Sequence, residues 1–507
     1  MAERVPIAPE QPNRRALILP GGGMRVAYQA GVIKALHDAG LRFSFADGAS
    51  GGTMNLAALL SGITPEDLCR RWRTLPVRQF ISLRALHRYL KFPNSGALGD
   101  FDGIERVIFP HLGIDLDALN SAQGISAKFN VCDFDDKIAR AIPQQDMARE
   151  LLLAGISLPL ATPPLSYDDK TWTDAVWIRD SNLMEAVRSG ANELWVAWCI
   201  GNTPTFEQGL LEQYVHMIEM SAVGKLSEEL AEIAALNQAI ARGERPFGHE
   251  REIAVHVVAP EQPIPLDPDF LSGKIDAATL ISYGYRDARR VLARGSPTAL
   301  DPNATKMSDR GQGIHFRETM SGRVCFGEDD PERGYRSDAA EPVSIHAAID
   351  IDDVAKFVRD PDHLEALSGH LEWHRRGGWL PAASGKFGLF TPSGDPKLAY
   401  MIYAMRVSID GKPHFFNGRK HVRIAAPWKL WKATTTLYVT LHEGDDVTGP
   451  IVAAGRLSLG VMSLLDLLGT MRAAGCRGWA QSSRAIWRFF RFFAGELMRI
   501  FLFRRPR

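Results

Sequence analysis

At 507 residues the chain is longer than one hydrophobic core normally organises, so two or three domains are expected. Its 59 Lys and Arg balance 59 Asp and Glu, which removes any global electrostatic reason to expect a nucleic-acid partner. Five scattered cysteines with no C-x-x-C pair argue against a disulfide framework or a cysteine zinc site and place the chain in a reducing, cytoplasmic setting; no signal-peptide pattern and no spanning apolar run are read.

From Arg15 to about Pro260 short apolar runs alternate with helical patterns. ALIL (16–19), FSFADG (43–48), KFNVCDF (128–134), ELWVAWCIG (193–201) and EIAVHVVAP (252–260) read as strands. GVIKALHDAG, NLAALLSG, PEDLCRRWRTL and a long stretch over 206–243 read as helices, and DAATLISYGYRDARRVLARG (276–295) as a closing helix. Strands that alternate with helices imply crossover connections and a mostly parallel sheet covered on both faces.

The first strand runs into PGGGMRV (20–26). Glycines permit positive φ and close backbone approach, and an amide-lined turn at a helix start attracts negative charge. Gly21, Gly22 and Gly23 therefore hold an anion, either a phosphate or a transient oxyanion. A nucleotide phosphate would call for a G-K-[ST] ending or a G-x-G-x-x-G turn with a distant acid, and neither is written. The second strand ends in FADGASGGTMNLAALLSG (45–62), where Gly48, Ser50 and Gly52 form G-x-S-x-G at a strand-to-helix junction. That turn exposes a serine hydroxyl at a helix N-terminus, where free N–H groups stabilise developing negative charge. Fourteen histidines keep a Ser-His-Asp arrangement in view, but His256 sits within an apolar alternation that reads as a strand.

Residues 296–313, SPTALDPNATKMSDRGQG, lack periodicity and read as a linker. Beyond them, β-branched and aromatic runs separated by DG, NG and SG turns imply an antiparallel, sandwich-like β domain over 314–455. Asp350, Asp352 and Asp353 read as a solvated turn, and no metal site is expected. The tail (456–507) is helical. Arg484, Arg488, Arg491 and Arg499 recur at helical spacing among Trp487, Phe489, Phe490, Phe493, Leu497, Ile500 and Phe501. That pattern suits a membrane surface contacted through 484–507, and equally a terminal helix packed on the β domain.

Order and spacing of two blocks, Gly21-Gly22-Gly23-Met24-Arg25 and Gly48-x-Ser50-x-Gly52-x-x-Asn55, resemble the patatin-like phospholipase family. The resemblance covers 15–295 and implies a three-layer αβα sandwich, a lipid or phospholipid ester substrate, no cofactor and a Ser-Asp dyad. It makes Ser50 the nucleophile and the backbone of Gly21 to Arg25 the oxyanion-hole loop. The family's aspartate stands about sixteen residues before a Gly-Ala pair, which selects Asp174 ahead of Gly190-Ala191 and leaves Asp180 as a solvated loop or N-cap carboxylate. Two departures stand out: Ala175 follows the aspartate where the family has glycine, and Val26 replaces a common glycine. They keep open an alternative, a catalytically weak or inactive shell that binds lipid or a partner. Arg25 either holds the loop or meets a lipid phosphate. Residues 314 to about 500 resemble, less specifically, an accessory domain beside cholesterol oxidase-like and esterase-like modules of bacterial lipid enzymes. Acyl chain, headgroup and oligomeric state are not written in the sequence.

Overall fold

A computed structural model gives the structure at residues 14–80, 82–83, 97, 99–203, 206, 208–264, 273, 275–308, 311–476 and 478–503. The N-terminal segment, two linker positions and the last four residues of the tail lie outside these described residues. Two compact units emerge: Met1–Ile264 with Arg294–Met307, and Pro265–Ala293 with Ser308–Arg507.

The first unit is built on an eight-stranded sheet. Its strands are β1 (Arg15–Leu19), β2 (Phe45–Ala49), β3 (Ser126–Asp133), β4 (Ile138–Pro143), β5 (Leu165–Tyr167), β6 (Lys170–Asp174), β7 (Glu193–Ala197) and β8 (Ala254–Val258). They lie in the order β8-β7-β1-β2-β3-β6-β5, with β4 also on β3. The first five of that order pair in parallel, and β4, β5 and β6 add antiparallel ladders. β2 is buried at every position, as parallel strands sandwiched between helices must be. Helix α1 (Ala27–Asp38) follows β1, α2 (Gly52–Leu60) follows β2, and the long α3 (Leu210–Ala241) buries Ala222, Leu226, Leu230 and Ile233 in one core with Ile18, Val196 and Val255. The fold is the expected αβα arrangement. Among the described residues no helix is long and apolar enough to cross a membrane.

The second unit is antiparallel, as read, and takes a closed form. Strands β9 (Gly313–Phe326), β10 (Glu341–Ile351), β11 (Leu364–Trp373), β12 (Gly378–Pro392), β13 (Leu398–Ile409), β14 (Lys412–Arg423), β15 (Thr436–Glu443) and β16 (Ile451–Ser458) pair in sequence, and β9 pairs with both β10 and β16. Such closure leaves no exposed edge in the ring. Helix α4 (Ala277–Arg294), read from sequence as closing the α/β domain, groups with the barrel instead up to Ala293. Its polar groups find their partners there: Tyr283 donates to Asp350 at 2.6 Å and Arg286 to Ser368 at 2.5 Å. Two further helices follow the barrel, α5 (Val461–Thr470) and α6 (Gly478–Leu497). α6 buries Ala485 and Phe489 in the barrel core and leaves Trp479 and Trp487 exposed, so it is both packed and amphipathic outward.

Candidate active site

Two loops meet at the carboxyl ends of β1 and β2, the region where open α/β sheets place ligands. Between β2 and α2, Ser50 adopts φ +47°, left-handed backbone that a β-carbon disfavours. A serine held this way at a strand-to-helix turn is presented by strain that the surrounding fold maintains. Ser50 is buried, and its neighbour Gly52 starts α2 so close to the end of β1 that a β-carbon would lie 2.0 Å from the Leu19 carbonyl oxygen. Glycine is the residue that fits.

The triple-glycine turn wraps the same point. A β-carbon on Gly21 would stand 2.5 Å from the Ser50 Cβ and 2.9 Å from its Oγ, so the backbone there runs directly against the hydroxyl. Gly22 and Gly23 have φ of +145° and +59°. Their N–H groups are engaged by no other described residue. The Gly21 N–H, by contrast, donates to Asp180 Oδ2 at 2.8 Å. This corrects two sequence expectations: Asp180 is fully buried, not a solvated or capping carboxylate, and Gly21 contributes to the loop through its shape while its amide is already bound. Arg25 is buried and its Nε donates to the Gly22 carbonyl at 3.1 Å, so it holds the loop.

Behind the loop, Asn55 donates to the Val26 carbonyl at 2.9 Å and to Gln29 Oε1 at 3.0 Å, and accepts the Trp72 indole N–H at 2.7 Å. Gln29 in turn donates to the carbonyls of Pro20 and Ala197. These buried bonds tie α2, α1 and the ends of β1 and β7 into one frame. Val26 is in ordinary right-handed backbone, so the glycine it replaces was not needed for φ.

Asp174 closes β6 opposite Val131, the residue after Asn130, which in turn faces Ala49. Register alone therefore delivers the carboxyl to the neighbourhood of Ser50. It is fully buried; Oδ1 accepts the Val176 N–H at 2.9 Å, while Oδ2 has no bond to the rest of the fold. Burial pushes its pKa up to about 7, against the opposing pull of the Ser50 hydroxyl and the Val176 amide. Ala175 has no positive φ, so the missing glycine leaves the aspartate's backbone unstrained. Ser221 of α3 donates to the Val176 carbonyl at 2.9 Å and steadies this turn.

Two more buried carboxyls stand nearby. Asp180 is raised well above the carboxylate range by burial and by the negative charge of Asp174 and Asp47. Asp47 accepts from Asn130 at 2.8 Å, and Asn130 accepts from Asn182 at 3.1 Å. Neither contact was legible in the sequence, because each partner lies far along the chain; the one local hint was the DS pair at 180–181 just before a helix-like run. His256 stacks on Trp195 at 4.2 Å in β8, and no described histidine bonds to Ser50.

Among the described residues, the group with metal-ligand chemistry is in the second unit: His346, His370 and Glu372, with one ligand atom of each within 4.8 Å of the others. The two imidazoles stack at 4.6 Å and 10°, and His346 Nε2 lies 3.3 Å from Glu372 Oε2. Asp350 accepts from Tyr283 and bonds His315, and Asp353 caps the helix that follows it.

Residues 17–187 match the family model described as patatin-like phospholipase. Among solved structures 12 chains match, and the crystal structure of VipD from Legionella pneumophila aligns at a TM-score of 0.31 and 9% identity, over 56% of this chain and 67% of that one. No curated protein matches.

Proposed function

From a chain whose residues 17–187 are a patatin-like phospholipase domain, we propose a lipid acyl hydrolase that works through Ser50 and Asp174. The observation that carries this reading is a serine in left-handed backbone at a strand-to-helix turn, near a fully buried aspartate that is raised to about 7 and whose Oδ2 is unbonded. A carboxyl of that basicity is half ionised at neutral pH and serves as a general base, where an ordinary aspartate would be too weak.

In the acylation step Ser50 Oγ bonds to the ester carbonyl carbon and its proton passes to Asp174 Oδ2. The carbonyl oxygen becomes an oxyanion that accepts hydrogen bonds from the Gly22 and Gly23 amides, each such donor contributing roughly 3 kcal/mol in comparable hydrolases. The intermediate collapses, the C–O bond of the alcohol breaks, and the alcohol takes the proton from Asp174. Water then attacks the acyl-serine, gives its proton to Asp174, and the carboxylic acid leaves as Ser50 recovers its hydrogen. Asp180 and Arg25 hold the loop from either side.

The chain meets its lipid at a membrane surface through α6, and this is supported by the exposure of Trp479, Trp487 and Phe490 beside the exposed Arg484 and Arg491. Hydrolysis of a short-chain nitrophenyl ester by the full chain tests the catalytic reading. Ser50→Ala and Asp174→Asn are each expected to lower kcat at least a thousandfold without loss of melting temperature. Full activity in both would eliminate the dyad, and no activity in the unaltered chain would favour the inert lipid-binding shell.

A further inference from the structure

The barrel of the second unit is not filled to its end. A cavity of about 280 Å³ opens where the lumen meets α5, α6 and the helix Leu430–Thr435, and its wall is almost wholly apolar, with Phe316, Phe387, Leu389 and Met401 on the barrel side. Polar side chains interrupt that wall at Thr434 and Thr435, whose hydroxyls donate to the Leu430 and Trp431 carbonyls of their own helix, and at a trio of Glu318, Tyr403 and Lys420. Lys420 Nζ donates to Glu318 Oε1 at 2.6 Å and to the Tyr403 hydroxyl at 3.2 Å, and Tyr403 donates to Glu318 Oε2 at 2.5 Å. Lys420 and Glu318 side chains are each 3% exposed. A buried ion pair is poor evidence of a device for stability, because apolar residues of the same volume usually serve as well. Here the pair faces space.

The hydrogen-bond inventory fixes what that space accepts. Both carboxylate oxygens of Glu318 are engaged, the tyrosine donates and accepts, and the ammonium has used two of its three N–H donors. One donor is left, so the occupant presents an acceptor oxygen. The trio is electrically neutral, and an anionic headgroup would bring a second negative charge beside Glu318 into an apolar cavity at high cost. At about 280 Å³ the cavity is at the small end of ligand pockets and takes one chain, not two. Its border includes Trp431, Leu468 and Phe490, which are 49%, 46% and 36% exposed and offer an apolar path in from outside. Eight-stranded barrels are wide enough to hold one small ligand when side chains do not fill them.

We propose that the barrel mouth is a binding site for a neutral, single-chain lipid whose ester carbonyl or hydroxyl oxygen accepts a hydrogen bond from Lys420, with its chain against Phe316, Leu389 and Met401. The assignment uses nothing of Ser50, so it stands or falls apart from ester hydrolysis.

The test is displacement of the neutral fluorophore 1-aminoanthracene by 1-monodecanoin and by decanoate at pH 8, on the full chain carrying Ser50→Ala so that no ligand is consumed. Monodecanoin displaces the probe, and decanoate does so at least tenfold less well. Met401→Trp fills the lumen and weakens both lipid and probe at least tenfold; should it fail to melt like the parent, Leu467→Trp on α5 gives the same loss. The paired variant Glu318→Gln with Lys420→Met keeps the probe's affinity and weakens monodecanoin about tenfold. The proposal is overturned by absence of displacement, by binding that ignores a folded lumen-filling variant, by a paired variant with unaltered monodecanoin affinity, or by decanoate binding as tightly as monodecanoin.

Discussion

Asp174 carries opposite consequences for activity and stability, and both follow from the same burial. In the proposed role of base it must be ionised, so kcat/KM is expected to rise about tenfold per pH unit below its pKa and level off above about 7. For stability the sign reverses. The unfolded carboxyl titrates at its ordinary value of 3.8, the folded one at about 7, so between those values the native state binds more protons and loses stability as pH climbs. Asp180 and Asp47, also raised, act in the same sense. Asp174→Asn stays neutral, so its melting temperature should match the unaltered protein near pH 4 and exceed it by several degrees above pH 7, while activity is lost. Differential scanning calorimetry across that range reads the gap, and a constant gap would show that Asp174 does not titrate as described. At this scale the sequence was partly legible: the G-x-S-x-G turn points to Ser50, and the family resemblance selects Asp174. The bond from Gly21 to Asp180, 159 residues away, was not, since no local pattern announces a contact of that span.

Among the elements, the frame around Asn55 decides whether the glycine turn keeps its shape. Its amide and carbonyl serve three buried partners on two other helices and the loop. Asn55→Ala removes the partner of the Trp72 N–H and of the Gln29 side-chain oxygen and should cost about 2–3 kcal/mol of stability, in line with other buried unsatisfied groups. Denaturant unfolding measures that loss, and kcat should fall with it because the loop loses its brace; a change below about 0.5 kcal/mol would mean the frame is redundant. Element types were mostly readable from periodicity, as with the buried runs of β1, β2 and β7. Partnership was less so. α4 has an amphipathic pattern that fits any apolar surface, and only the side chains of Tyr283 and Arg286 reveal that its surface is the barrel. Closure of β9 onto β16 likewise depends on register between strands more than a hundred residues apart, and turn signals do not encode it.

For the whole molecule, one unit is read as cutting lipid esters and the other carries an apolar helix face outward. α6 uses Phe489 for the barrel core and presents Trp479 and Trp487 to solvent, so deleting it would confound folding with binding. The paired substitution Trp479→Ala with Trp487→Ala, both at exposed positions, should leave melting unchanged and weaken sedimentation with anionic phosphatidylglycerol vesicles about tenfold. Equal sedimentation would assign the exposed tryptophans to another purpose. The basic and aromatic stripe was visible in the sequence, but which rings face inward was not, because both faces of α6 are aromatic.

Labelling with a fluorophosphonate, followed by peptide mass mapping, reports most directly whether Ser50 is a nucleophile activated by Asp174. A single adduct on the peptide containing Ser50, formed at least a hundredfold more slowly in Asp174→Asn, is the predicted result. An adduct on a different serine, or one on Ser50 that forms equally fast without the Asp174 carboxylate, would contradict it.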